Sequence, residues 1–141
     1  MTSLPESAPH AGAPELRHWT LDSYDELKGL RASLRDVIVD GAPPSDARLN
    51  DVFNRMAVVA TELATNALRH GVPPTVVRLL RDREHLVLDV ADHDPGAAPQ
   101  VINDRPPGAG GLGLRLTLRF AGDVGWYTTE ATKHVWASFR G

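Results

Sequence analysis

Glu62 and Asn66 stand four residues apart in the string ELATNALRHG, residues 62–71. On a helix that spacing puts both side chains on one face. A carboxylate held there can take the proton of an attacking hydroxyl. An amide oxygen can ligate a hard cation such as Mg2+, which prefers oxygen ligands and keeps phosphates in its shell. Taken alone, the spacing favours two surface residues of an amphipathic helix, because Glu-x-x-x-Asn is common by chance.

The second candidate string is VADHDPG, residues 90–96, where an apolar run meets Pro and Gly. An Asp at the end of a buried strand holds its carboxylate at the lip of a pocket. A carboxylate accepts and does not donate, so Asp92 suits the exocyclic amino group of adenine. Gly96 lets backbone approach a flat base closely. The same residues are turn formers, and a plain turn is the alternative.

The third string is PPGAGGLGL, residues 106–114, with glycines at 108, 110, 111 and 113. Such a segment can turn its amides toward an anion, and a helix following it adds N-terminal N–H groups and a positive dipole end. A phosphate chain is the natural guest, and a flexible loop before a helix is the alternative. No Gly-Lys-Ser/Thr follows, so this is not a Walker loop. It falls late in the chain and outside a βαβ unit, so it is not a dinucleotide fingerprint.

The elements that must position these groups follow from periodicity. Residues 16–21 alternate and predict an edge strand. Ser23 and Glu26 have the spacing of a capping box. Leu27, Leu30, Leu34, Val37 and Ile38 recur at helical spacing, up to a break near Gly41. A second helix is predicted from Ser45 or Asp46 to His70, with Val52, Phe53, Met56, Val59, Ala60, Leu63 and Ala67 as its apolar stripe. At about 100° per residue, Glu62 and Asn66 border that stripe. Gly71 is predicted as a left-handed C-cap.

Strands are predicted over 75–81 and 86–90, then a Gly/Pro/Asp-rich loop over 92–113. A third helix over 112–121 and a hairpin of 123–129 with 133–140 complete the chain. Grouped helices beside hairpin-connected strands imply an α+β two-layer sandwich, its mixed, mostly antiparallel sheet covered on one face by helices. Residues 1–14 are rich in Pro, Ala, Ser and Gly and predict a disordered tail, leaving 15–141 as the domain. Trp126 and Trp136 are expected to fill the core and a sheet face.

In this order, the three strings resemble the N, G1 and G2 boxes of the GHKL ATPase superfamily. The resemblance runs from about Leu16 to Phe139, and its nearest likeness is to the RsbW-like anti-sigma-factor serine kinases of the actinobacterial kind. ELATNALRHG, GGLGLRLTLRFAG and HVWASF, with Lys133 just before, carry it. The resemblance implies the Bergerat fold, with ATP and Mg2+ as ligands. It implies Glu62 as catalytic base, Asn66 as Mg2+ ligand, Asp92 as reader of adenine, and Gly96 as the second G1 glycine. Gly111 and Gly113 would lie at the phosphates, with Gly108 and Gly110 as lid hinges. Asp94 stands where the family has its first G1 glycine. Arg105 is the one cation of a short lid. The implied activity is phosphorylation of a serine on an anti-anti-sigma partner of the STAS type, by a homodimer that also sequesters a sigma factor. The alternative is a nucleotide-binding anti-sigma or adaptor module that transfers no phosphate.

The bulk numbers agree with a single-domain protein of this kind. The chain has 141 residues, 42% apolar, with a net charge of −3 and no cysteine. That charge argues against a nucleic-acid surface. The absence of cysteine excludes disulfides, thiolate metal sites and a cysteine nucleophile. With no apolar span or leader pattern, the cytosol is the expected location.

Overall fold

The computed structural model describes residues 2–9, 12–39, 47–96, 100–101 and 112–140. Two short strands, β1 (Thr2–Ser3) and β5 (Gln100–Val101), pair with each other. The main sheet comprises β2 (Glu15–Leu21), β3 (Thr75–Asp82), β4 (His85–Asp92), β6 (Val124–Thr128) and β7 (Lys133–Arg140). Its order is β2-β3-β4-β7-β6 and each ladder is antiparallel. The parallel element among the described residues is a bridge between Glu6 and Trp126. Three helices, α1 (Leu27–Val39), α2 (Ala47–His70) and α3 (Leu112–Phe120), pack with the sheet as an α+β sandwich, consistent with the Bergerat fold.

The period-2 alternation of the strands decides what each face carries. Val77 pairs with Val90, Val90 with Val135, and Val135 with Trp126. These residues make an apolar row across the helix-covered face. Leu79, Leu88 and Ala137 make the next row, all fully buried. Against them α2 sets Val52, Met56, Val59, Ala60, Leu63, Ala64 and Ala67. Burying each large apolar side chain is worth about 1.5–3 kcal/mol, so this interface supplies most of the driving force. α1 adds Leu30 and Leu34, and Trp19 Nε1 of β2 donates to Ser33 Oγ at 2.9 Å.

Two local expectations are corrected. Ser23 makes no side-chain cap; Glu26 Oε1 instead accepts from the Asp22 amide at 2.9 Å, and residues 24–26 form a 3-10 turn leading into α1. The carboxylate takes the amide one residue earlier than a capping box would.

The predicted disordered tail is also different over its described part. Leu4 is 4% exposed and belongs to the core. Ser7 N donates to Trp126 O at 2.9 Å, and Trp126 N donates to Pro5 O at 3.1 Å. Two indoles, one on each sheet face, also hold the segment: Trp126 Nε1 donates to Leu4 O at 3.2 Å and Trp136 Nε1 to Ser7 O at 2.7 Å. The β6 edge offers unpaired backbone groups, which a Pro- and Ser-rich segment can satisfy without being a strand. The expected helix break near Gly41 and the helix start at Ser45 or Asp46 lie outside the described residues.

Candidate functional site

Asp92 is the last residue of β4 and is 4% exposed. It faces the helices, one step past Val90 in the alternation. Its register partner on β7 is Lys133, whose Nζ lies 3.7 Å from Asp92 Oδ2. On the other side, the pairing of Val76 with Ala91 brings Thr75 to the level of Asp92. Thr75 is fully buried and its hydroxyl has no hydrogen-bond partner among the described residues. A polar row of Thr75, Asp92 and Lys133 therefore ends an otherwise apolar sheet face.

Asp92 is locked by its own turn. Oδ1 accepts the Asp94 amide at 2.7 Å, and Asp94 Oδ1 accepts the Gly96 amide at 3.1 Å. These two side-chain turns in succession are what Asp does best after a strand. Asp94, the departure from the G1 pattern, thus spends its carboxylate on the turn backbone. His93 secures the same corner: its amide donates to Val72 O at 2.9 Å, and its Nδ1–H donates to Pro74 O at 2.9 Å.

Gly71 corrects a further expectation. It is not left-handed; its amide donates to Ala67 O at 2.8 Å and so extends the helical bonding of α2. The residue is glycine for want of room. A Cβ there would overlap the Asp92 carboxyl and lie 2.7 Å from Ala67 O. The end of α2 thus comes into direct contact with Asp92.

Glu62 and Asn66 lie on α2 itself, both half-buried. They sit at the margin of the stripe that includes Val59, Leu63 and Ala67, with Asn66 the nearer to the Gly71 end. Along α2 the order is a carboxylate, an amide one turn on and, past the end of the same helix, the contact of Gly71 with Asp92. Gly96 closes that corner and is exposed. Gly113 is the second residue of α3, which packs on α2. Gly108, Gly110, Gly111 and Arg105 lie outside the described residues.

The family model of the histidine kinase-like ATPase domain matches residues 20–139. The chain belongs to this family. It is an ATP-binding domain of the GHKL type, of the kind found in anti-sigma-factor kinases. No curated protein matches the chain.

The residues present fit the ligand this GHKL domain implies. ATP needs an acceptor for its amino group, and the structure supplies the buried Asp92 carboxylate, with the unsatisfied Thr75 hydroxyl at the same level. Mg2+ needs neutral or anionic oxygen donors, of which the Asn66 amide is one.

A second polar cluster escaped the sequence reading. Asp89 is fully buried on the sheet face away from the main core. Its Oδ2 accepts from Tyr127 OH at 2.6 Å and its Oδ1 from His134 Nδ1 at 2.7 Å, with Arg78 at 3.9 Å. The Tyr127 and His134 rings stack with centroids 4.4 Å apart, and His134 Nε2 meets Thr132 Oγ1 at 2.8 Å. Burial, then the hydrogen bond to Asp89, pushes the Tyr127 phenol well above its usual range. The signal was an acid inside the apolar run LVLDV, residues 86–90. Alternation puts Asp89 opposite Leu88 and Val90, so it can only be buried with partners on the other face. Among the described residues no helix is long and apolar enough to cross a membrane, and no group of three metal-ligating side chains forms.

Proposed function

We propose that this GHKL domain is a protein serine kinase that phosphorylates an anti-anti-sigma partner of the STAS type and binds a sigma factor. Asp92 accepts the adenine amino group, and Gly96 lets the backbone approach the base closely. Asn66 would hold Mg2+, which when bound would neutralise charge on the phosphate chain. By resemblance, Gly111 and Gly113 would serve the phosphates, with Gly108 and Gly110 as hinges of the lid. Glu62 takes the proton of the incoming serine hydroxyl. The serine Oγ–P bond forms as the bond from the γ-phosphorus to the β,γ-bridging oxygen breaks, and ADP leaves. Catalysis of this kind is positioning plus charge stabilisation, which a half-buried helix margin suits.

The observation that carries the reading is the fixed succession along α2: a carboxylate, an amide one turn on, then Gly71 against the buried Asp92 carboxyl. Phosphorylation of the antagonist would decide which partner the domain holds. A homodimer in the cytosol is the expected working form.

The test is transfer of γ-labelled phosphate from Mg-ATP to a serine of the STAS partner. Label on that serine, lost with Glu62→Gln, is the expected result. ATP binding without any label on the partner would replace the kinase reading with that of a nucleotide-binding adaptor.

A further inference from the structure

The polar row at the end of the sheet holds two groups that the proposed mechanism does not use, Thr75 and Lys133, and the second is charged. Lys133 is the first residue of β7, on the helix-covered face, and its side chain is 12% exposed. An ammonium so buried is costly unless its protons find acceptors. Its partner is Asp92 Oδ2 at 3.7 Å, an ion pair too long to be a hydrogen bond. Asp92 Oδ1 is already taken by the Asp94 amide. Among the described residues, Oδ2 therefore keeps lone pairs and Lys133 keeps N–H donors, side by side at the same sheet level.

An acceptor next to a donor is the complement of a purine edge that presents a donor next to an acceptor. Adenine does so: its amino group donates, and the adjacent ring nitrogen N1 accepts. Guanine and hypoxanthine reverse both, with a carbonyl oxygen and a ring N–H at those two positions.

We propose that Lys133 reads the base together with Asp92, donating from its ammonium to N1 of adenine while Asp92 Oδ2 accepts from the amino group. This rests on the reading of Asp92 as the base acceptor, and adds a second, charge-assisted contact to it. The ion pair seen here is the pre-set form of that reader: each charge holds the other at the base position. Lys133 is thus a specificity-determining residue. In one pose ATP satisfies both groups, whereas GTP and ITP set acceptor against acceptor and donor against donor.

The test compares ATP, 1-deaza-ATP and 7-deaza-ATP, each with Mg2+, by calorimetric titration of the wild-type chain and of Lys133→Met. A hydrogen bond to a charged donor corresponds to about tenfold in affinity or more. The wild type should bind 7-deaza-ATP like ATP and 1-deaza-ATP about tenfold more weakly. Lys133→Met should bind ATP about tenfold more weakly and no longer distinguish ATP from 1-deaza-ATP. The wild-type comparison stands by itself if the variant does not fold. Equal wild-type affinity for ATP and 1-deaza-ATP would overturn the proposal while leaving Asp92 in place. So would discrimination retained in Lys133→Met. Failure of all three nucleotides to bind would overturn the base reading as a whole.

Discussion

Gly71 ends α2 against the carboxyl of Asp92 so closely that a methyl group would collide with it. One helix thus carries Glu62, Asn66 and the contact that positions the buried acid of β4. The helix is long enough to do this because its apolar stripe is anchored across the sheet from Val52 to Ala67.

Gly71→Ala should therefore damage both fold and site. The obstacles are a short, buried side chain and a backbone carbonyl, which have little freedom to move. Overpacking of this kind costs about 1–3 kcal/mol. Chemical denaturation should show a lowered midpoint, and ATP affinity should fall with it. A variant as stable as the parent that binds ATP equally well would show the close approach to be unimportant.

Asn66 and Glu62 should separate binding from chemistry. Asn66→Ala should abolish Mg-dependent ATP binding in a calorimetric titration. Glu62→Ala should bind Mg-ATP like the parent and lose about 10²–10⁴-fold in transfer rate, the usual contribution of a positioned base. Equal loss of binding in both variants would contradict the division of roles.

The tail should prove to be a structural part. Leu4→Ala removes a buried side chain and should cost about 2–4 kcal/mol. The loss is measurable as a drop in melting temperature, with a change in emission from Trp126 and Trp136, whose indoles bond to the Leu4 and Ser7 carbonyls. Unchanged melting would mean that the segment is not seated on β6.

Alkaline pH should weaken the fold through Tyr127. Its phenol is raised in the folded chain above the ordinary value of 10.0. Above that pH the unfolded tyrosine loses its proton while the folded one keeps it, so the unfolded state binds fewer protons and stability falls as pH rises. Tyr127→Phe should flatten that alkaline limb in denaturation curves taken from pH 8 to 11. An unchanged slope would contradict the buried Tyr127–Asp89 bond.

Much of this was legible beforehand, for identifiable reasons. The stripe of α2 has the helical period over many turns, and every residue assigned to it is buried. β7 was predicted with the observed ends because its alternation is strict and Glu130-Ala131 marks the turn before it. Asp92 was placed at a strand end because an apolar run met Pro and Gly there. The sequence hid what depends on register between distant strands. Nothing local pairs Lys133 with Asp92, Thr75 with either, or Asp89 with His134 and Tyr127. Gly71 showed a related ambiguity: glycine after a helix reads as a left-handed cap, and only tertiary contact reveals that it is there for space. The tail misled through composition, because a few residues such as Leu4 are enough to fix a segment that an open sheet edge can receive.

The account stands most directly on Asp92 as acceptor for the base. Asp92→Asn preserves size but leaves one acceptor oxygen, which the Asp94 amide claims, and turns an NH2 toward the base amino group. Titration of Mg-ATP into the parent and into this variant, with melting curves to show that both are folded, should give binding to the parent and about a hundredfold weaker binding to the variant. A folded Asp92→Asn chain that binds Mg-ATP as tightly as the parent would contradict the account.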